Sequence, residues 1–471
     1  MPDVRYVVMS DLHLGAENSI LTNLQDGSWE TDTTKPSPVL VELARVLREV
    51  ISKNEGPEKP VLVLNGDLME LALTSTDNAA RAFMRFVEVM FPEGEENLFA
   101  DTILFLAGNH DHNLWERSRN LRYNEYLDQL RPGEVIRDEK HCTDMLQHDT
   151  IHIPLLNVLA RKYSNLKNVN IQGAYPAYAV LSENKHKAVI FCHGHYVESM
   201  YSLMTSLRSK IFPDRELPAY FEDLEKENYA WVDFFWSTLG RSGSVGRDIG
   251  LIYDKLQDPQ QVQLMINNLA ENFTPAHQSK IKHWIEKGII HELLEITVGR
   301  MASNERNEPD VALTPDAENG LRILMERFVL YEFMKGLDHK VPQDVTFLFG
   351  HTHKPFTRQF NFNGYQQPVK VFNSGGWVVD TMHQQPLHGG SVLLVDDTLD
   401  VVALNMYREG NYHIAVEEFN HEGDEAHCPF YFKLQQIISD PNGPWAAFEA
   451  AVKAAVEVRY SNLAGIAKSN N

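Results

Sequence analysis

Five short apolar runs, each ending in a residue that can hold a metal ion or a proton, constrain this chain more than anything else in it. Val61, Leu62, Val63 and Leu64 run into Asn65-Gly66-Asp67. Val7, Val8 and Met9 run into Ser10-Asp11-Leu12-His13, and residues 103–106 into Gly108-Asn109-His110-Asp111. Residues 189–192 run into His193-Gly194-His195, and residues 347–349 into Gly350-His351-Thr352-His353. Short continuous apolar runs stopped by Gly, Asn or Asp read as strands buried on both faces. One strand that stops at Gly-Asp says little. Five that all stop at Asp, Asn or His can deliver their side chains to a single edge of a sheet.

Between these strands the spacing is helical. Leu40, Leu43, Ala44, Leu47, Val50 and Ile51 predict a helix over 39–51, and similar patterns cover 79–90 and 114–130. Short extended runs follow, including 178–181 and 188–192. The character then changes. From Val197 the residues Met200, Tyr201, Met204, Leu207 and Ile211 recur at helical spacing, and further helical patterns cover 221–239, 262–269, 281–289 and 321–337. Strand patterns return at 369–372, 392–395 and 401–404, and a last helix is predicted over 444–458. At 471 residues the chain exceeds the usual single-domain size. The expected architecture is α/β, with packed sheets flanked by helices. One discontinuous domain, 1–196 and 344–471, would be interrupted by an all-helical insertion over 197–343. That insertion leaves beside His193 and returns beside His351. Connections are usually short, so it is expected to cap or wall the site.

Composition narrows the partners. The chain is 43% hydrophobic and 23% charged, as in ordinary globular proteins. A net charge of −22 argues against nucleic acid or an anionic lipid surface as partner, but leaves room for a local cation site. Cys142, Cys192 and Cys428 are too few and too scattered for a disulfide framework or a zinc knuckle. No apolar run reaches the ~18 residues of a spanning helix, and no leader pattern opens the chain, so the reading is a cytoplasmic protein without a transmembrane segment.

Carboxylate, imidazole and amide groups at one edge suit two divalent metal ions. Asp67 can bridge through its two oxygens, Asp11 and His13 can serve one ion, and Asn109 with a histidine the other. Nitrogen and oxygen ligands without thiolate favour Mn, Fe, Zn or Co. Two such ions ~3.5–4 Å apart activate a shared water and clamp the oxygens of an in-line displacement at phosphorus. At these residues the chain resembles the calcineurin-like metallophosphoesterase superfamily, with all five motif blocks in the family's order over roughly 4–195 and 344–408. The resemblance implies a four-layer αββα sandwich. It assigns Asp11, His13, Asp67 and His353 to one metal, and Asp67, Asn109, His193 and His351 to the other. It places His110 beside the leaving-group oxygen as acid or charge stabiliser, with Asp111 orienting it.

The function implied is hydrolysis of a phosphate-containing small molecule by a metal-bound hydroxide. The sequences around Cys192, at 350–355 and at 373–378 are also similar to the UDP-2,3-diacylglucosamine pyrophosphatase branch. That branch carries Arg at the position of His110 and lacks the insertion. Cleavage of a pyrophosphate bond, a nuclease activity and a non-catalytic scaffold on the same fold stand as alternatives. Blander readings apply elsewhere: His195 and His112 as loop or solvated residues, Glu70 as a helix start, Cys192 as packing. Asn373 and Trp377 could line the site or only shape a turn. The aromatic residues Tyr229, Trp231, Phe234, Phe235 and Trp236 could grip a substrate or lipid, but aromatics this dense in a helical stretch are expected in the core.

Overall fold

The computed structural model describes residues 2–147, 149–238, 308, 310–381, 383–419 and 427–469. The helices expected over 262–269 and 281–289 lie outside these residues. The strands are β1 (Val4–Met9), β2 (Val61–Asn65), β3 (Thr102–Leu106), β4 (Ile151–His152), β5 (Asn170–Ala174), β6 (Ala177–Leu181), β7 (Lys187–Cys192), β8 (Asp344–Phe349), β9 (Phe356–Phe360), β10 (Val369–Asn373), β11 (Gly389–Asp396), β12 (Val401–Arg408) and β13 (Ala415–Glu417). They form an eight-stranded sheet in the order β13-β12-β11-β1-β2-β3-β5-β4 and a five-stranded sheet in the order β6-β7-β8-β10-β9.

The unbroken apolar runs have a simple cause. Side chains alternate across a strand, and here both faces are buried. Val8, Val63, Leu104 and Leu106 of the first sheet meet Val189, Phe191, Leu348 and Phe372 of the second in one core. Their neighbours Leu62, Leu64, Phe105, Ile190, Phe347 and Phe349 turn the other way, into a cluster shared with the helices. The helix Pro38–Ile51 starts where Ser37 accepts the N–H of Val39 and Pro38 has no N–H to satisfy. It buries Leu40, Leu43, Leu47 and Val50 in that cluster, against the C-terminal helix Trp445–Ser469.

Strands β1, β2 and β3 are mutually parallel, and so are β7, β8 and β10. Their carboxyl ends, where the ligand-type residues sit, come together across the two sheets. Asn65, the last residue of β2, ties them with a hydrogen bond from Nδ2 to the Cys192 carbonyl at 2.9 Å.

The described residues of the expected insertion are helical, with no strand among them. The helix expected from Val197 instead begins at Leu203, after 3-10 turns at His195–Val197 and Ser199–Ser202. Glu198 between the turns is extended, so the continuous period in the sequence is broken in space. Met200 and Tyr201 are buried as the spacing predicts, whereas Met204 is 40% exposed. Further helices span Phe221–Val232, Pro315–Ile323 and Leu330–Gly336. The returning end packs on the β9–β10 hairpin, where Tyr365 donates to the Met325 carbonyl at 3.0 Å and Arg322 to that of Asn361 at 3.1 Å. No helix among the described residues is long and apolar enough to cross a membrane.

Candidate metal centre

The loops that end the strands are held in an unusual backbone state. Asp11 (φ 52), His13 (φ 45), Asp67 (φ 49), His351 (φ 70) and His353 (φ 59) are all left-handed, and none is glycine. Each such residue costs on the order of 1–3 kcal/mol and persists only where its surroundings enforce it. Here they do: Asp11 N–H donates to Gly66 O (3.0 Å), and His13 N–H to Asp67 O (2.9 Å). His351 N–H donates to the Asp11 carboxylate at 2.9 and 3.0 Å. The close approach needs glycine. A Cβ on Gly108 would lie 2.1 Å from Asp67 Oδ1, and one on Gly350 2.1 Å from Asp11 Oδ2.

Two of the groups whose ligand atoms lie within 4.8 Å of one another are Asp11, His13 and His353, then Asp67, His193 and His351; His13, Glu70 and His110 form another, and His112, Glu116 and Glu225 a fourth. In the first, His353 Nε2 lies 3.3 Å from His13 Nε2 and 3.4 Å from Asp11 Oδ1. In the second, His193 Nε2 lies 3.4 Å from Asp67 Oδ2 and 3.1 Å from Asn109 Oδ1. Asp67 sits between them, its Oδ2 also 3.7 Å from His13 Nε2. All seven side chains are buried.

Asp67 Oδ1 accepts the His110 N–H at 2.8 Å, while Oδ2 is buried without a hydrogen-bond partner. Leaving a buried carboxylate oxygen bare is costly, and a cation at that point would relieve it. Of the two-oxygen bridge expected at Asp67, the geometry leaves Oδ2 alone open. Burial opposes charge on Asp11, yet His193 and His353 hold its carboxyl down at about 2. Burial opposes charge on His193 too, yet Asp67 and Asp11 lift it to about 9. The field favours positive charge, and the donor set is nitrogen and oxygen only. These residues fit divalent cations.

The groups behind them differ from expectation. Glu70 begins no helix; the next one starts at Thr76. It is buried, with Oε2 2.9 Å from His13 Nδ1 and Oε1 2.9 Å from His110 Nδ1, and Oε1 also accepts the N–H groups of Ala72 and Leu73. Asp111, expected to orient His110, instead accepts backbone N–H groups at both oxygens: Gly108 at 2.7 Å, and Leu68 at 2.8 Å. It clamps two ligand loops together, and Glu70 takes the His110 side chain. Asp380 lies 2.5 Å from His353 Nδ1, and Glu198 2.7 Å from His351 Nε2. Asn373 ties the His351 loop through Gly350 O at 2.7 Å, while Trp377 packs against Tyr407 and Phe448, so neither is a site-lining group. Only Glu70 carried a sequence signal, three residues after Asp67. Glu198 and Asp380 had none.

His112 and His195 are buried rather than solvated. His112 Nε2 lies 2.7 Å from Glu225 Oε1, and the other Glu225 oxygen accepts from Tyr175 at 3.0 Å and from Tyr196. His195 Nε2 lies 3.1 Å from the Tyr175 hydroxyl. Burial pulls the His112 imidazole down, but Glu225, with Asp233 and Glu116, lifts it to about 10. A folded-state value above the unfolded ~6.5 gives stability that is full below ~6.5 and is lost as pH climbs through about 10. The melting temperature should therefore fall over that window, and the slope should flatten in His112→Gln. Glu225→Ala strands the imidazolium and should cost ~3–5 kcal/mol in urea unfolding. An unchanged midpoint would show that the network does not hold the helix Phe221–Val232 to the sandwich.

The calcineurin-like phosphoesterase family model matches residues 4–214, which carry the Asp11, Asp67, Asn109 and His193 loops. No curated protein matches the chain.

Proposed function

We propose that the protein hydrolyses phosphate esters of a small molecule, using two divalent metal ions, in line with the calcineurin-like phosphoesterase family model that matches residues 4–214. The observation that carries this reading is Asp67 Oδ2, buried, without a hydrogen-bond donor, and facing an imidazole of each ligand group. Asp11, His13, Asp67 and His353 would hold one ion, and Asp67, Asn109, His193 and His351 the other. When bound, the pair supplies an activated water and charge neutralisation at the phosphoryl oxygens.

The chain's own groups supply the rest. His110 is buried beside His13, their rings 4.7 Å apart and edge-to-face. The Glu70 carboxylate engages its Nδ1, which leaves Nε2 as the ring atom for the leaving oxygen. Asp111 keeps the Asn109 loop and the Asp67 loop in register through backbone hydrogen bonds. The described residues of 197–343 would wall the site and shape substrate choice. A cavity of about 280 Å3 opens beside Tyr196 and Ser199, with Ser202 and Thr205 on one side and Leu324 and Phe328 on the other. None of the proposed metal ligands is among its lining residues.

The test is metal removal. Chelation followed by desalting should abolish turnover of a nitrophenyl monoester, a bis-nitrophenyl diester and a nucleotide diphosphate conjugate, and Mn or Co should restore it. The ratio among the three substrates then selects ester or anhydride. A protein that binds neither ion and turns over none of them would be a scaffold.

A further inference from the structure

We propose that Glu198 is a positioning residue of the metal centre, so that the segment walling the site also completes one of its two cation subsites. The inference rests on the hydrolase reading and names a residue that reading does not require.

The carboxylate of Glu198 is buried, with Oε1 2.7 Å from Nε2 of His351. A buried carboxylate this close to an imidazole holds the ring in place by charge, and losing such a partner weakens metal binding at the ring. Glu198 therefore fixes where the His351 ring sits. Asp380 does the same for the other histidine of the Gly-His-Thr-His run. It lies 2.5 Å from His353 Nδ1, which leaves Nε2 as the donor, and Nε2 is the atom that faces Asp11 and His13. Each histidine is held by a carboxylate from a different part of the chain. Asp380 comes from the loop after β10, steadied by Asn18 at 3.0 Å. Glu198 comes from the helical segment.

The position of Glu198 is held by that segment's packing. Gly194 (φ 100) lets the chain turn against Phe349, whose ring would lie 2.6 Å from a Cβ there. Glu198 N–H then donates to His195 O at 3.1 Å. From the returning side, the helix Pro315–Ile323 presses on the neighbouring backbone so closely that a Cβ on Gly320 would meet Val197 O at 1.9 Å. Tyr201 stands edge-on to His351 with ring centroids 5.0 Å apart, backed by Trp236 at 5.0 Å. Two residues of the helical segment, Glu198 and Tyr201, thus touch His351.

The test is calorimetric titration of the metal-stripped, full-length protein with manganese chloride. The native protein should take two ions. Glu198→Ala should weaken one site by ~10–100-fold and leave the other unchanged. Glu198→Gln, which keeps the side chain's length beside the ring but removes its charge, should weaken the same site by less than Glu198→Ala. Asp380→Ala should weaken the site that Glu198→Ala spares. If Glu198→Ala fails to fold, Glu198→Asp, one methylene shorter, should show the same selective weakening. Two native-strength sites in Glu198→Ala, or in Glu198→Asp where it replaces Ala, would overturn the proposal while leaving the hydrolase reading intact. Glu198→Gln as damaged as Glu198→Ala would also overturn it, by making Glu198 a direct ligand. A native protein that binds no manganese would remove both.

Discussion

Asp67→Asn is expected to lose both metal ions and all turnover together. The argument starts from Oδ2, which lies 3.7 Å from His13 Nε2 and 3.4 Å from His193 Nε2 and takes no hydrogen bond of its own. It is the one ligand atom between the two groups, so its charge serves both. The His193 imidazole and, beside it, Asp11 already show how strongly this edge depends on opposite charges at close range. Asparagine keeps the shape, and its Oδ1 can still accept the His110 N–H. What replaces Oδ2 is an amide nitrogen, which repels a cation. Elemental analysis of the variant should find well under one ion per chain, and turnover should fall to background. The fold should persist, because the apolar cores do not involve this side chain. Two ions retained with native turnover would remove Asp67 from the bridge.

Glu70→Ala carries the second largest effect, because one carboxylate serves two histidines with different jobs. Its Oε2 faces His13 Nδ1 and its Oε1 faces His110 Nδ1, both at 2.9 Å. Losing the first should cost ~10–100-fold in affinity at one metal site, as removal of such a partner usually does. Losing the second should lower kcat by ~10²–10⁴-fold, the worth of a positioned acid. His110→Ala should reproduce the kcat loss while both ions stay bound. Its effect should be larger with a poor leaving group than with nitrophenolate, since only the poor one needs a proton. In the double variant the two kcat losses should not add, because they remove the same interaction. Additive losses would show that Glu70 acts on catalysis only through His13. Equal losses on both leaving groups in His110→Ala would show that His110 is not the acid.

The sequence by itself determined the strands and the residues at their ends. β1, β2, β3, β7 and β8 were legible because a strand buried on both faces must be apolar without a break. Val8 turns to the inter-sheet core while Val7 and Met9 turn to the helices, and both environments demand the same residue type. The Gly-Asp, Gly-Asn-His and Gly-His-Thr-His runs were legible because tight approach and ligand chemistry lie within a few residues of each other. Helix periods were equally local, as over Pro38–Ile51 and Trp445–Ser469.

Only the tertiary structure decided what stands behind each ligand. Glu198, Glu225 and Asp380 look like any surface acid when the chain is read in order, Glu70 was marked only by its place three residues after Asp67, and 127 residues separate Asn65 from the Cys192 carbonyl it binds. The broken helix at Glu198 was hidden for the same reason. The 3.6-residue period from Val197 to Ile211 is intact in the sequence, but Glu198, whose carboxylate meets His351, is extended in the structure. A local pattern records which face of an element is apolar. Which buried charge meets which depends on where distant segments close against each other, and that is settled by packing the two sheets and the helical segment around one edge.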